Sequence, residues 1–380
     1  LSKLVSLFIV LTFILSNQGN VYAEEKQSLE IKSEAAVLVD SETGALLYSK
    51  NSKERLYPAS LTKIATAIYA IENGNLDDVV TVGARAVKEE GTRVYLVEGE
   101  RVPLKKLIQG MLINSGNDAA VAIAEHLDGS VEQFADNINK YLTEKIGVSD
   151  THFSNPNGLY NEDHYTTALD LALITNYAKK NPIFSEIFGT KELGWSGESW
   201  KTTLLTHHRL LKGEIPAEGI TGGKTGYVDE SKHTLATTAE NENIKLTAIV
   251  LKADSSKASY RDTNKLIEYG FSNFTHRTIK QNERFTIHKK EYYAKNDIVI
   301  TVHVNGSKES ITDQGMLQIV NNGQVSQSIQ LEVKEPKPIK VKDEKLLSSE
   351  QSSFNAIYGI IVLGLAGLLI GVRKRLVKKQ

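Results

Sequence analysis

The sequence predicts an α/β (α+β) protein in which a mixed helix-and-sheet domain is followed by a small β-rich domain and a C-terminal transmembrane helix. Three observations carry that expectation. Apolar residues recur at helical spacing through much of the first half of the chain, with strand-like runs before and after them. Beyond about residue 283 the helical spacing stops, and short alternating runs separated by Gly and Asn take over. Residues 354–372 are apolar apart from Asn355 and Tyr358. As a helix these roughly 19 residues span close to 30 Å, the thickness of a bilayer core.

Taken in order, the chain begins with a segment that is not part of the folded protein. Lys3, the apolar run over residues 5–15 and the small-x-small site Val21-Tyr22-Ala23 read as a secretory signal over residues 1–23. Composition agrees with export. There are 0 Cys in 380 residues, so neither a disulfide framework nor a Cys-ligated metal is available. A formal net charge of -1 argues against a nucleic-acid partner. The length allows two folded domains, and 41% hydrophobic content is enough to fill a core.

The first domain is expected over residues 24–280. Residues 35–39 and 45–48 read as a hairpin turning at Ser41 to Gly44. Ser60 precedes Leu61, Ile64, Ala65, Ile68 and Ile71, so it should open a helix with one buried face that ends at Gly74. Pro103 starts a second helix, with Leu104, Leu107, Ile108, Met111 and Leu112 on one face. Helical patterns continue over residues 119–127, 131–142 and 167–178, which puts Ser115-Gly116-Asn117 in a connection between helices. Lys224-Thr225-Gly226 precedes the strand-like runs 234–239 and 245–251, and Arg261 begins a helix carrying Leu266, Ile267 and Phe271.

Chemistry concentrates in three short motifs. Residues three apart share a helix face, so Ser60 and Lys63 should project together with the hydroxyl within reach of the amine. A serine is a poor nucleophile until a base takes its proton, and a lysine can do so once burial or nearby cations lower its pKa. Taken singly the motifs are weak: S-x-x-K and S-x-N each arise by chance roughly once in a chain of this length, K-T-G in about one such chain in ten. Ser49-Lys50-Asn51 is one such chance copy, set aside because it ends a strand-like run and precedes Ser60. Three motifs in order, each in a suitable context, form a site. Glu162 and Asp163 read as solvated loop charges, and adjacent His207-His208 does not have the spacing of a zinc site.

With Ser60-x-x-Lys63, Ser115-x-Asn117, Lys224-Thr225-Gly226 and the flanking Asn155-Pro156-Asn157-Gly158-Leu159 in view, the sequence resembles the D-alanyl-D-alanine carboxypeptidase family of low-molecular-weight penicillin-binding proteins over roughly residues 33–275. The resemblance implies an antiparallel sheet flanked by helices, with a helical subdomain. It implies Ser60 as nucleophile, Lys63 as general base and Ser115 as the group returning the proton to the leaving D-alanine. Asn117, Lys224, Thr225 and Gly226 would bind substrate, the N–H groups of Ser60 and Tyr227 would form an oxyanion hole, and Arg261 is offered as a further carboxylate ligand against the plainer reading of a surface ion pair. Peptidoglycan stem peptides ending in D-Ala-D-Ala are the implied substrate, with β-lactams as covalent inhibitors and no cofactor. The chain departs from the family's usual Ala-Gly at Ser231-Lys232, and from its frequent Asn at His208.

The remainder is expected to form a small β-rich domain over residues 283–334, with strands at 298–302, 317–320 and 329–333. A linker at 335–353 opens with Glu335-Pro336-Lys337-Pro338 and leads to the transmembrane helix 354–372. The basic tail 373–380 puts the C-terminus inside the cell and the domains outside. A β-lactamase and a non-catalytic anchored penicillin sensor or cell-wall scaffold stand as alternatives.

Overall fold

Strand β1 (Ala35–Asp40) is buried at every position and, through a turn with Gly44 at φ 74°, runs back as β2 (Leu46–Lys50). A strand rich in Val and Leu and buried on both faces belongs inside a sheet. The computed structural model that shows this describes residues 29–321 and 323–333. The expected signal segment 1–23, linker 335–353, transmembrane helix 354–372 and basic tail 373–380 lie outside them, and among the described residues no helix is long and apolar enough to cross a membrane.

After β2, a 3-10 turn at Ala59–Leu61 leads into α1 (Thr62–Asn73). Ser60 therefore sits in the turn before the α-helix, a refinement of the expectation that it opens the helix itself. The ribbon of β3 (Val79–Thr81) and β4 (Arg101–Pro103) brackets α2 (Ala84–Lys88). Then come α3 (Leu104–Ile113), α4 (Asn117–Asp128), α5 (Val131–Tyr141), α6 (Ala168–Lys179) and α7 (Pro182–Phe188). Pro182 is tolerated because it falls at the first helical turn, after the Asn181 cap. A hairpin of β5 (Glu192–Ser196) and β6 (Lys201–Leu205), in a stretch the sequence marks only as turn-rich, precedes the short α8 (Arg209–Lys212).

Strands β7 (Ile220–Val228), β8 (Lys232–Glu240) and β9 (Lys245–Ala253) complete an antiparallel sheet in the order β2-β1-β9-β8-β7. β7 holds its edge. Alternation divides the sheet between two cores: Ala35, Val37 and Val39 face a cluster with α1, α3, α4 and α6, while Ala36 and Leu38 face one with Leu266 and Ile267 of α9 (Ser256–Asn273). Helices thus cover both faces.

From α9 the chain enters β10 (Phe274–Ile279), followed by β11 (Arg284–Ile287), β12 (Lys290–Tyr293), β13 (Ile298–His303), β14 (Lys308–Ile311), β15 (Met316–Asn321) and β16 (Gln324–Gln330). β10 pairs with β13, and β14, β15 and β16 form a second antiparallel group. Ile279, Tyr292, Ile300, Leu317, Ile319 and Leu331 make a third core. Where one strand was expected over 329–333, Leu331 instead leaves β16 to donate its N–H to the Gly315 carbonyl and buries its side chain. Fully buried Asp40 joins this β-rich part to the sheet, its Oδ2 facing His276 Nε2 at 2.6 Å and accepting the Thr301 hydroxyl at 2.7 Å.

Candidate active site

Ser60 follows Ala59, whose φ of 49° is left-handed, an uncommon state for a residue with a Cβ. Three residues on, Lys63 turns inward from α1 and is fully buried. Its Nζ lies 2.8 Å from Ser60 Oγ, 2.6 Å from Asn117 Oδ1 and 2.8 Å from the Asn157 carbonyl. The Asn117 amide is oriented by its other end, where Nδ2 donates to the Glu90 carbonyl at 2.6 Å. Burial, then the Lys224 charge, holds the Lys63 amine well below the ordinary lysine range, against the opposing pull of Asp118 and Glu89.

The three partners decide what a neutral Lys63 does. Two are oxygens that can only accept, so the two amine hydrogens go to Asn117 and Asn157. The lone pair is left facing the Ser60 hydroxyl, as a general base requires.

Ser115 and Gly116 connect α3 to α4, and Asn117 is the first residue of α4 with Gly116 as its cap. Ser115 is itself left-handed, φ 63°. Its Oγ accepts from Lys224 Nζ at 3.0 Å, and that amine also donates to the Thr225 carbonyl at 2.8 Å. Burial pushes the Lys224 pKa down to about 7. The second and third motifs are therefore in direct contact, and both reach toward Ser60.

Glycine in the third motif has a steric reason. A Cβ on Gly226 would stand 2.9 Å from Ser60 N, 3.0 Å from the Pro58 carbonyl and 2.4 Å from Thr234 Oγ1. β7 lies directly against the Ser60 backbone, and Thr234 of β8 fastens the turn by donating to the Pro58 carbonyl at 2.9 Å. Thr225 is half-buried beside it. Tyr227 is 55% exposed on the rim, its ring against His233 and its hydroxyl donating to Asp229 at 2.8 Å.

Arg261 forms an ion pair with its neighbour Asp262. Its Nη2 donates to Asp262 Oδ1 at 2.9 Å, and buried Asp262 accepts the N–H groups of Lys32 and Ser33 through its other oxygen. Glu162 and Asp163 are exposed. His208 is fully buried: Nδ1 accepts the Leu211 N–H at 3.1 Å, so its proton is on Nε2, which donates to Thr237 Oγ1 at 2.8 Å.

Sequence reasoning assigned no role to several groups that build this site. The Asn157 carbonyl is one, and the Asn157 side chain also donates to Glu89 at 2.6 Å. Asp118, next to Asn117, is buried, and its carboxylate accepts the N–H groups of Val94 and Leu96, fixing the loop that orients Asn117. The Asn155-Pro156-Asn157-Gly158-Leu159 string was the available signal, since a Cβ on Gly158 would be 1.9 Å from the Ala59 carbonyl.

An antiparallel sheet covered by helices, with Ser60, Lys63, Ser115 and Lys224 gathered at its β7 edge, defines a serine peptidase of the penicillin-binding class. Residues 21–255 match the D-alanyl-D-alanine carboxypeptidase family model, and the chain belongs to that family. It is 35% identical over 295 residues to the D-alanyl-D-alanine carboxypeptidase DacF of Bacillus subtilis (strain 168), covering 74% of this chain and 75% of that protein. To DacD of Escherichia coli (strain K12) it is 32% identical over 286 residues, 71% of this chain and 72% of the relative. Among solved structures, penicillin binding protein 5 from Haemophilus influenzae superposes with a TM-score of 0.68 at 26% identity, covering 80% of this chain and 97% of that one.

Proposed function

We propose that this carboxypeptidase removes the terminal D-alanine from peptidoglycan stem peptides ending in D-Ala-D-Ala, through an acyl-enzyme on Ser60. The observation that carries the assignment is the buried Lys63 amine, 2.8 Å from Ser60 Oγ and within hydrogen-bond reach of two pure acceptors, Asn117 Oδ1 and the Asn157 carbonyl, so that the neutral amine keeps its lone pair for Ser60. Ser60 Oγ attacks the penultimate D-Ala carbonyl as Lys63 takes its proton, and the oxyanion is received by the N–H groups of Ser60 and Tyr227. Collapse breaks the peptide bond. Ser115 passes the proton that Lys63 took from Ser60 on to the departing amine, its Oγ held by Lys224 at 3.0 Å. Lys224 and Thr225 hold the terminal carboxylate while Asn117 supports the substrate backbone, and the peptide lies along the open edge of β7 next to Gly226. Water then hydrolyses the ester. β-Lactams enter the same route because they present a strained acyl donor beside a carboxylate.

Arg261 has no part in this scheme as we read it, because its guanidinium is engaged by Asp262. Export by residues 1–23, anchoring by residues 354–372 and an extracellular position for the domains are further parts of the proposal, supported by the sequence pattern. The test is D-alanine release from diacetyl-Lys-D-Ala-D-Ala beside labelled penicillin. Steady release with a long-lived penicillin adduct is expected. Rapid penicillin turnover would instead mark a β-lactamase, and an adduct without D-alanine release a sensor or scaffold.

A further inference from the structure

His164 lies outside the three motifs, yet it is bonded to the turn that carries Ser60. It is 2% exposed, and its ring is stacked on Phe153 with 4.9 Å between centroids. Nδ1 accepts the Ser154 backbone N–H at 3.1 Å. In a neutral imidazole one nitrogen accepts and the other carries the proton, so the proton is on Nε2. Nε2–H donates to Thr62 Oγ1 at 2.8 Å, and the Thr62 hydroxyl passes its own hydrogen to the Ala59 carbonyl, also at 2.8 Å. The relay runs in one direction, from His164 to Ala59.

That carbonyl needs holding. A left-handed residue with a Cβ costs about 1–2 kcal/mol relative to the right-handed state, and Ala59 has φ 49°. Its oxygen also accepts the Thr62 N–H, and Gly158 packs so closely on it that no side chain would fit. The Ala59 carbonyl and the Ser60 N–H belong to one planar trans peptide, so fixing the oxygen aims the N–H in the opposite direction. On the other side of that peptide, the Gly226 backbone approaches Ser60 N.

We propose that His164 is a positioning residue for the oxyanion hole, acting through Thr62 to fix the plane of the Ala59–Ser60 peptide and so the direction of the Ser60 N–H. This rests on the reading of Ser60 as nucleophile. It assigns His164 no contact with substrate and no proton transfer.

The experiment measures kcat and KM on diacetyl-Lys-D-Ala-D-Ala, and acylation by labelled penicillin, for wild type, His164→Leu, His164→Gln, Thr62→Val and the His164→Leu/Thr62→Val double variant, with Ser60→Ala as control. Removing an oxyanion donor outright typically lowers kcat about 10²–10³-fold. Misaiming one should lower kcat and the acylation rate roughly 10–100-fold in His164→Leu and Thr62→Val, with KM within about threefold of wild type. Glutamine places an N–H the same number of bonds from Cα as His164 Nε2, so His164→Gln should recover most of the loss. The double variant should be no slower than the slower single, because both break one relay. If His164→Leu does not fold, Thr62→Val and His164→Gln carry the test. Wild-type rates in Thr62→Val, additive losses in the double variant, or fewer active sites with an unchanged rate per site would each overturn the inference. Activity remaining in Ser60→Ala would overturn the nucleophile assignment instead.

Discussion

Replacing Lys224 by methionine should stabilise the protein at neutral pH while abolishing its activity, because the fold holds an amine where water favours an ammonium. Lys224 is 3% exposed, and burial draws its pKa from the ordinary 10.5 to about 7. Between those values the unfolded chain binds more protons than the native state, so stability rises with pH across that window and the penalty is complete below it. Worked from these pKa values, the destabilisation is about 4 kcal/mol at pH 7 and about 2 kcal/mol at pH 9. Lys224→Met also loses the hydrogen bonds to Ser115 Oγ and the Thr225 carbonyl, worth roughly 1 kcal/mol each. A net gain of about 1–3 kcal/mol is expected at pH 7, shrinking by about 2 kcal/mol at pH 9. The loss of the Lys224 charge also relieves the depression of Lys63, which acts in the same direction. Denaturant titrations of both proteins at pH 7, 8 and 9 measure this, with penicillin acylation as the functional control. A variant less stable than wild type at pH 7 and parallel to it at every pH would refute the lowered pKa of this buried amine.

The same titration should appear in the kinetics: kcat/KM should fall about tenfold per pH unit above pH 7 as Lys224 loses the charge proposed to hold the substrate carboxylate, and a flat profile from pH 7 to 9 would exclude that role. Gly226→Ala puts a Cβ 2.9 Å from Ser60 N, so β7 must shift and acylation should slow about 10²-fold; stopped-flow with labelled penicillin reads this, and a change under threefold would contradict it. Burial holds His164 and His208 to pKa values of about 3 against an ordinary 6.5. Below pH 6.5 the unfolded chain gains protons that the native state refuses, so stability should fall by about 3 kcal/mol between pH 6.5 and 5 from the two together. Equilibrium unfolding against pH tests this, and His208→Gln should flatten the slope.

Much of this architecture can be read from the chain because it rests on periodicity. The Leu104, Leu107, Ile108 and Met111 face becomes a buried side of α3, and the strict alternation of β1 divides two cores. Side chains with distinctive chemistry, Ser60, Lys63, Ser115 and Lys224, can be found by motif. Backbone chemistry cannot. The Asn157 carbonyl that takes a Lys63 hydrogen carries no signature of its own, and the left-handed Ala59 is packed by Gly158, which arrives from about a hundred residues further along the chain. Arg261 shows the converse: resemblance offers it to a substrate carboxylate, while a buried neighbour, Asp262, pairs with its guanidinium, as the plainer reading of an ion pair has it. The β5/β6 hairpin is hard to read because only Trp195 and Leu204 are buried in strands otherwise half or fully exposed.

The central claim is that Ser60 forms the acyl bond while a neutral Lys63 takes its proton. Peptide mass mapping after penicillin treatment, on wild type, Ser60→Ala and Lys63→Met, tests it most directly. The account expects a penicilloyl adduct on the peptide carrying Ser60 in wild type, none in Ser60→Ala, and acylation slowed by several orders of magnitude in Lys63→Met. An adduct on Ser115, or wild-type acylation in Lys63→Met, would contradict it.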